Sequence, residues 1–179
     1  MTADHGVLPN WLGALAMGVV DAQRSAVAVA GPESTVATLL TLREFPGTGV
    51  GELAGILGLT HSAAVRVCDG LVADGLARRN RHDADARRVS LTLTAAGRRD
   101  ANRMQAARLR ALDALLEPLS TRQRHQFATL LDTMLRGRER DRATARRTCR
   151  FCAHRSCTGP ACPVGSSVPV ADTRQEAQR

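Results

Sequence analysis

The hydrophobic pattern changes period twice within residues 49–94. Apolar residues spaced three and four apart predict a helix over residues 50–57. Gly58 then ends that helix, and Thr60 stands where the next helix needs an N-cap. A second helix is predicted over residues 61–73. Because a connection of this length holds two helices at a steep angle, the pattern predicts a helix-turn-helix.

After Gly75 the pattern takes the period of β-strands. We predict a strand over residues 76–79, a polar loop over 80–86 and a second strand over 88–93, where apolar and polar residues alternate. The loop and its borders are rich in arginine. A hairpin with a basic tip beside a helix-turn-helix is a winged helix, a shape suited to duplex DNA.

Longer helices are predicted on both sides of this unit. Two precede it, over about residues 9–30 and 33–43. After the hairpin, Thr94 can cap a helix that runs to about residue 117, where Pro118 stops it. A capping box at residues 120–123 opens a last helix that ends near Gly137. The fold class is therefore mainly α with a small β-wing: a winged helix-turn-helix domain plus long helices.

The stretch GELAGILGLTHSAAVRVCDGLVADGLARR, followed by DARRVSLTLTAAG, resembles the MarR family of bacterial transcription regulators. The wing carries that family's signature, Asp85-x-Arg87-x5-Leu93-Thr94. The resemblance covers roughly residues 9–137. It implies a MarR-like domain over residues 1–137, with a DNA-binding core at about 33–94.

This resemblance implies a homodimer in which the long helices interlock, and a role in transcription regulation, as a repressor. A two-fold dimer places two recognition helices in successive major grooves and reads a pseudo-palindromic operator. In many relatives a small-molecule effector binds between the dimer helices and the winged domain. The alternative is that the long helices only cover the core of their own monomer.

The predicted recognition helix presents small and polar side chains to a major groove, and Arg66 among them can pair with guanine. These candidate contacts are His61, Ser62, Ala63, Val65 and Arg66. Candidates for the minor groove or backbone are Arg81, His82 and Arg87. Phosphate attraction is expected from Arg78, Arg79 and Arg88. The resemblance implies that Asp85 braces the wing by a salt bridge to Arg66 or Arg87, so Arg87 could also be structural.

Charge supports a polyanionic partner. The chain has 179 residues, enough for one main domain, and a formal net charge of +8. Residues 98–150 hold fourteen arginines against six acids, whereas residues 1–59 hold two against five. An uneven basic surface on a fold that can enter a groove favours nucleic acid. The alternative is that the arginines only solvate helical faces.

Features that the sequence lacks indicate the cellular location and the type of function of the protein. The sequence predicts no signal peptide, and the apolar run from Trp11 to Val20 is too short to cross a membrane, so we expect a cytoplasmic protein with no membrane partner. The five histidines are scattered, and the sequence shows no nucleophile–base set or nucleotide loop. We therefore expect a binding protein and no enzyme.

A cysteine cluster follows a charged linker predicted over residues 138–148. It spans residues 149–163, with Cys149, Cys152, Cys157 and Cys162 spaced C-x2-C-x4-C-x4-C. Such density in a cytosolic chain argues against structural disulfides and for a thiophilic metal. Residues 164–179 are polar and are predicted to be disordered.

Three interpretations of the cluster stay open. Tetrahedral zinc is the plainest, although the glycines of a zinc knuckle are absent from residues 153–156. An iron–sulfur cluster is slightly favoured as a sensor, because Cys162-Pro163 matches the end of bacterial ferredoxin motifs. The thiols could also be free or form reversible disulfides. Cys68, on the inward face of the recognition helix, is expected to be a core residue; a redox role is the alternative.

A rival function follows from the same cluster. The chain could be a metal- or redox-handling protein that uses its winged helix only for dimerisation or protein docking. DNA-dependent retention with strong salt sensitivity would separate the two hypotheses.

Overall fold

The computed structural model describes residues 6–28, 31–82 and 85–168, and the side chains of residues 81–88 lie outside that description. The predicted tail from residue 169 onward also lies outside it. The elements, in chain order, are α1 (Val7–Val27), α2 (Glu33–Glu44), β1 (Thr48–Gly49), α3 (Val50–Leu57), α4 (His61–Ala73), β2 (Ala77–His82), β3 (Asp85–Leu93), α5 (Ala95–Ala114), α6 (Thr121–Leu135) and α7 (Arg142–Thr148). Two short 3-10 turns follow, His154–Ser156 and Gly159–Ala161.

The helix-turn-helix has the predicted boundaries. Helix α3 ends at Gly58, and the Thr60 side chain accepts a hydrogen bond of 3.2 Å from the backbone N–H of Ala63, which caps α4. The chain bends by 110° between the two helices. That angle lies in the range of helix-turn-helix motifs and is set by the short turn, so the predicted motif is confirmed.

The wing is larger than the sequence pattern predicts. Its sheet is antiparallel with the order β1-β3-β2, and the two-residue strand β1 pairs Thr48 with Leu91. Strand β2 continues to His82 and β3 begins at Asp85, so the predicted loop over residues 80–86 is wrong in length. Backbone pairing of Asn80 with Ser90 and of neighbouring residues extends the ladder, because main-chain hydrogen bonds do not need apolar side chains.

Helix α2 lies at the centre of the main core. Seven consecutive residues of this helix, from Val36 to Leu42, are buried, and they pack with side chains of α3, α4, β3 and α5. Cys68 belongs to this core and is fully buried. The expectation that Cys68 is a core residue is confirmed, and burial raises the pKa of its thiol.

The long helices α1, α5 and α6 leave much apolar surface uncovered. Every residue of α1 and α6 is at least partly exposed, and Trp11 and Leu130 are 54% and 60% exposed. The exposed large apolar residues also include Leu8, Leu12, Leu15, Met17, Leu109, Leu115, Leu131 and Met134. Helix α1 ends at Val27, earlier than the predicted end near residue 30. Arg108 on α5 donates a 2.6 Å hydrogen bond to Gln23 on α1, which joins the two helices.

The segment after α6 is more structured than the sequence predicts. Within the predicted charged linker, residues 142–148 form α7, because the Asp141 carboxylate accepts hydrogen bonds from the N–H groups of Ala143 and Thr144. Of the predicted disordered tail, residues 164–168 are folded, and Val164 and Val168 are buried. These two valines supply apolar area that a purely polar tail would lack.

Among the described residues, a membrane-crossing helix is not found. No single helix there is both long and apolar enough, and only the bent pair of α3 and α4 reaches that length and composition when the two are taken together.

Gly97 lies so close to the backbone of Leu76 that a side chain does not fit without a shift. Thr94 caps α5 by accepting the N–H of Gly97 and donates to the carbonyl oxygen of Gly75, which clamps the helix start against the wing. A Cβ atom on Gly97 would lie 2.0 Å from the carbonyl oxygen of Leu76. Since that backbone oxygen cannot move alone, any side chain must push α5 away from the sheet.

We therefore expect Gly97→Ala to lower the free energy of unfolding by about 1–3 kcal/mol, the usual cost of overpacking. Urea denaturation of the full chain measures it. Gly55→Ala is the matched control, because a Cβ there meets no atom within 4 Å and alanine favours helices. Equal stability of the two variants would contradict the clamp.

Candidate nucleic-acid interface and cysteine cluster

The N-terminal half of α4 presents the side chains that the sequence assigns to a major groove. His61, Ser62 and Arg66 are exposed, while Ala63 and Val65 are half-buried. Ala64, Cys68 and Leu71, on the opposite face, are buried and fix the helix on the core. The helix thus combines an anchored inner face with an outer face of small and polar groups, which a groove can accommodate.

The two arginines at the start of β2 are exposed, and each interacts with another side chain. Arg78 donates a 3.1 Å hydrogen bond from Nε to the Thr92 hydroxyl on β3, and Arg79 forms an ion pair with Asp69 on α4. Sequence reasoning did not single out Asp69, because the pair forms only once the wing folds against the helix. Arg79 therefore joins the wing to the recognition helix in addition to carrying charge.

The remaining predicted wing residues can be placed only by their backbone. Arg81 and His82 stand on β2, and Asp85, Arg87 and Arg88 on β3. Their side chains lie outside the described part of the structure, so the DNA contacts and the Asp85 brace stay predictions. The register places them toward the end of the ladder opposite buried Ala77 and Leu93.

The four C-terminal cysteines share one small apolar cluster. Cys149 and Cys162 are buried, and Cys152 and Cys157 are half-buried, against Ala145, Val164 and Val168. Tight turns precede three of them: the backbone N–H groups of Cys152, Cys157 and Cys162 donate to the carbonyl oxygens of Cys149, His154 and Gly159. All four residues that the spacing singled out thus pack in one apolar cluster, and a shared metal stays a prediction.

The thiols influence one another electrostatically. A hydrogen bond between the Cys149 and Cys152 side chains lowers the pKa of Cys152, to about 7, and raises that of Cys149 above its ordinary value. Burial, followed by the neighbouring Cys162, raises the pKa of Cys157 to about 11. Within residues 6–28, 31–82 and 85–168, no three His, Cys, Asp or Glu side chains converge in a geometry that could hold a metal ion.

The cysteine cluster is attached to the winged domain by several contacts. Arg146 on α7 forms an ion pair with Glu52 on α3, and its guanidinium lies 5.0 Å from the centroid of the Phe45 ring. Phe45 also makes an edge-to-face contact with His154, at 4.7 Å between ring centroids. Phe151, which lies between the first two cysteines, packs on the main core.

A cleft of about 670 Å³ lies between helices α1, α2 and α5 and residues 148–152. Its walls include three valines, the carboxylate of Glu33 and three arginines, namely Arg24, Arg108 and Arg150. Arg24 and Arg150 each form an ion pair with Glu33. Burial lowers the pKa of Arg108 from its ordinary value. Sequence reasoning missed these arginines, because they come from three distant segments and no local pattern relates them.

This geometry defines a class of protein: a winged helix-turn-helix domain carried by long helices that leave apolar faces uncovered. Residues 32–88 match the family model described as MarR family. The three-stranded antiparallel wing and the mainly helical architecture are those of the MarR-type winged helix fold. The predicted fold class is therefore confirmed.

Solved structures support the same fold. RV1404 from Mycobacterium tuberculosis shares 22% identity with a TM-score of 0.67, covering 78% of this chain and 98% of that one. The M. tuberculosis MarR family protein RV2887, in complex with salicylic acid, shares 26% identity with a TM-score of 0.55, over 74% and 96%. A MepR mutant from S. aureus, bound to an oligodeoxyribonucleotide, shares 18% identity with a TM-score of 0.56, over 72% and 95%. No curated protein matches this chain.

Proposed function

We propose that the chain is a homodimeric, sequence-specific DNA-binding transcription regulator of the cytoplasm, acting as a repressor. The observation that carries this proposal is the outer face of α4, where exposed His61, Ser62 and Arg66 stand beside the arginine-rich hairpin of β2 and β3. The oligodeoxyribonucleotide bound to the similarly folded MepR mutant supports a nucleic acid as the ligand.

In this proposal α4 enters the major groove. Arg66 pairs with a guanine edge, and the hydroxyl of Ser62 and the ring of His61 contact neighbouring bases or phosphates. Arg87, Arg81 and His82 at the wing tip reach the minor groove or backbone. The charges of Arg78, Arg79 and Arg88 attract phosphates, with Asp69 holding Arg79 toward the recognition helix.

Dimer formation supplies the second recognition helix. Helices α1 and α6 together expose eight large apolar side chains, each at least 39% exposed, and exposed apolar patches mark interaction sites. A second copy of the chain would bury them about a two-fold axis. The operator is then pseudo-palindromic, with half-sites about 10 base pairs apart, one helical turn of DNA.

The cleft beside α1 and α5 is the candidate site for a small-molecule effector. The valine side chains offer an apolar wall, and Arg108, which donates to the neutral side chain of Gln23, offers a positive charge for an apolar anion. RV2887 was solved with salicylic acid. A ligand that wedges α1 from α2 would change the spacing of the two recognition helices. The cysteine cluster is the candidate for a second input that regulates DNA binding.

A role in metal or redox handling with no DNA partner is the less supported function. It leaves the exposed face of α4 without a ligand, and it gives no reason for a wing held against the recognition helix by the Arg79–Asp69 pair. A binding titration distinguishes the two functions.

We expect the full chain to bind a fluorescein-labelled duplex of mixed sequence with a dissociation constant that rises steeply with salt. Each phosphate neutralised by arginine contributes about 0.9 to the slope of log K against log salt concentration. Fluorescence anisotropy at several potassium chloride concentrations gives the slope. An affinity that does not respond to salt, or the absence of binding at low salt, would reject a phosphate-binding surface.

A further inference from the structure

We propose that Cys149, Cys152, Cys157 and Cys162 bind a thiophilic metal centre, either Zn²⁺ or an iron–sulfur cluster, through four thiolates. Their backbones already lie in one apolar cluster, within fourteen residues of chain. Four thiolates form the ligand set that both kinds of centre prefer. Assigning a soft metal here is independent of what α4 binds.

The local backbone is suited to four converging side chains. Cys149 ends α7, the His154–Ser156 turn precedes Cys157, and the Gly159–Ala161 turn precedes Cys162. Each turn is closed by a main-chain hydrogen bond, from 2.9 to 3.1 Å, donated by the cysteine that follows it. The side chains of Cys149 and Cys152 form one hydrogen-bonded pair, and those of Cys157 and Cys162 form a second. Metal binding rotates these side chains toward a common centre.

A backbone donor is already aimed at one sulfur. The N–H of Gly165 donates a 3.0 Å hydrogen bond to Sγ of Cys162. A Cβ atom on Gly165 would lie only 3.1 Å from the same sulfur, so the absence of a side chain permits this approach. N–H groups that donate to ligand sulfurs stabilise the thiolate form and orient it, as outer partners do at metal sites.

Positive charge surrounds the cluster. A tetrathiolate zinc centre carries a net charge of −2, since four thiolates outweigh one Zn²⁺. Arg142 donates to the carbonyl oxygen of Gly165, and Arg108 lines the same cleft as Cys152. These guanidinium groups offset the charge that metal binding creates.

Replacement of the thiol protons by a metal needs no oxidant or reductant. When Zn²⁺ binds, four S–H bonds break, four Zn–S bonds form and four protons pass to solvent. An assembled iron–sulfur cluster taken up from a donor displaces the thiol protons in the same way. The two centres therefore share one ligand chemistry, and metal analysis distinguishes them.

The metal site contacts the DNA-binding domain, so metal binding can regulate DNA binding. This regulatory role rests on the proposed function. Helix α7 carries Arg146 and is followed directly by its C-cap residue, Cys149, and Arg146 holds Glu52 on α3, the first helix of the helix-turn-helix. Phe151 ties the loop between Cys149 and Cys152 to the main core. Metal binding would fix this loop, and metal loss would release α7 and its contact with α3.

The test uses the full chain purified without oxygen, assayed for zinc, iron and acid-labile sulfide, with a visible spectrum. We expect about one centre per chain: zinc in a colourless protein, or iron and sulfide in a brown one. Chain stripped of metal by a chelator should also bind Co²⁺ and show thiolate-to-cobalt charge-transfer absorption. No metal in the purified chain, together with no such absorption, would overturn the proposal.

The matched variants are Cys157→Ser and Cys68→Ala. Cys157 is half-exposed, so its substitution should keep the helical circular dichroism while metal content falls to near zero. Cys68→Ala removes a thiol from the main core and should leave metal content unchanged. Retention of metal by Cys157→Ser would reject the four-thiolate set. Because the assay contains no DNA, its failure leaves the DNA-binding proposal standing, and failed DNA binding leaves the metal site standing.

Discussion

We expect Leu130→Glu to convert the dimer to a monomer and to abolish tight DNA binding. Leu130 is 60% exposed in the single chain, and its neighbours on the same face of α6, Leu131 and Met134, are 39% and 55% exposed. Burying a leucine contributes about 2 kcal/mol, and a two-fold interface counts the loss twice, so the dimer dissociation constant should rise about 10³-fold. Analytical ultracentrifugation measures this constant.

The matched control is Thr129→Glu, which adds the same charge on the opposite, exposed face of α6. It should keep the dimer and its DNA affinity. If Leu130→Glu remained a dimer with unchanged DNA affinity, α6 would not be part of the interface. The exposed apolar residues of α1 and α6 would then need another partner.

The second large effect is expected at the recognition helix. Arg66→Ala should weaken binding to the preferred operator by about 1–3 kcal/mol, roughly 5- to 150-fold, and relax the preference for guanine at one position of each half-site. Arg66 is exposed, so the variant should unfold at the same urea concentration as the original chain. Fluorescence anisotropy with operator duplexes that differ at single positions measures both changes.

Arg122→Ala serves as the charge-matched control, because Arg122 is an exposed residue at the start of α6, outside the helix-turn-helix. It removes one positive charge and should leave sequence preference intact. Equal losses for the two variants would mean that Arg66 acts only through net charge. Such a result would place base recognition elsewhere on α4.

Local signals account for what the sequence predicted well. The helix-turn-helix boundaries depend on Gly58 and Thr60, which end one helix and cap the next within three residues of each other. The capping box of Ser120 and Gln123 fixes the start of α6 in the same way. Such signals act over a few residues, so a sequence pattern contains them in full.

The errors concern interactions between distant segments. Strand β1 has two residues, too few to show a period, and exists only because β3 pairs with it. The pair of Arg79 with Asp69 and the contact of Arg146 with Glu52 join segments that meet only in the folded chain. The sequence showed the four cysteines but not Val164 and Val168, which fold the supposed tail onto them.

The proposed function requires that a dimer of this chain recognises a specific DNA sequence. The most direct measurement is selection of bound duplexes from a pool with 30 random base pairs (about three helical turns), using the full chain at near-physiological salt. We expect enrichment of a pseudo-palindrome with half-sites about 10 base pairs apart, and loss of that enrichment with Leu130→Glu. Recovery of a pool with no enriched motif, from a protein that is folded and dimeric, would contradict the claim.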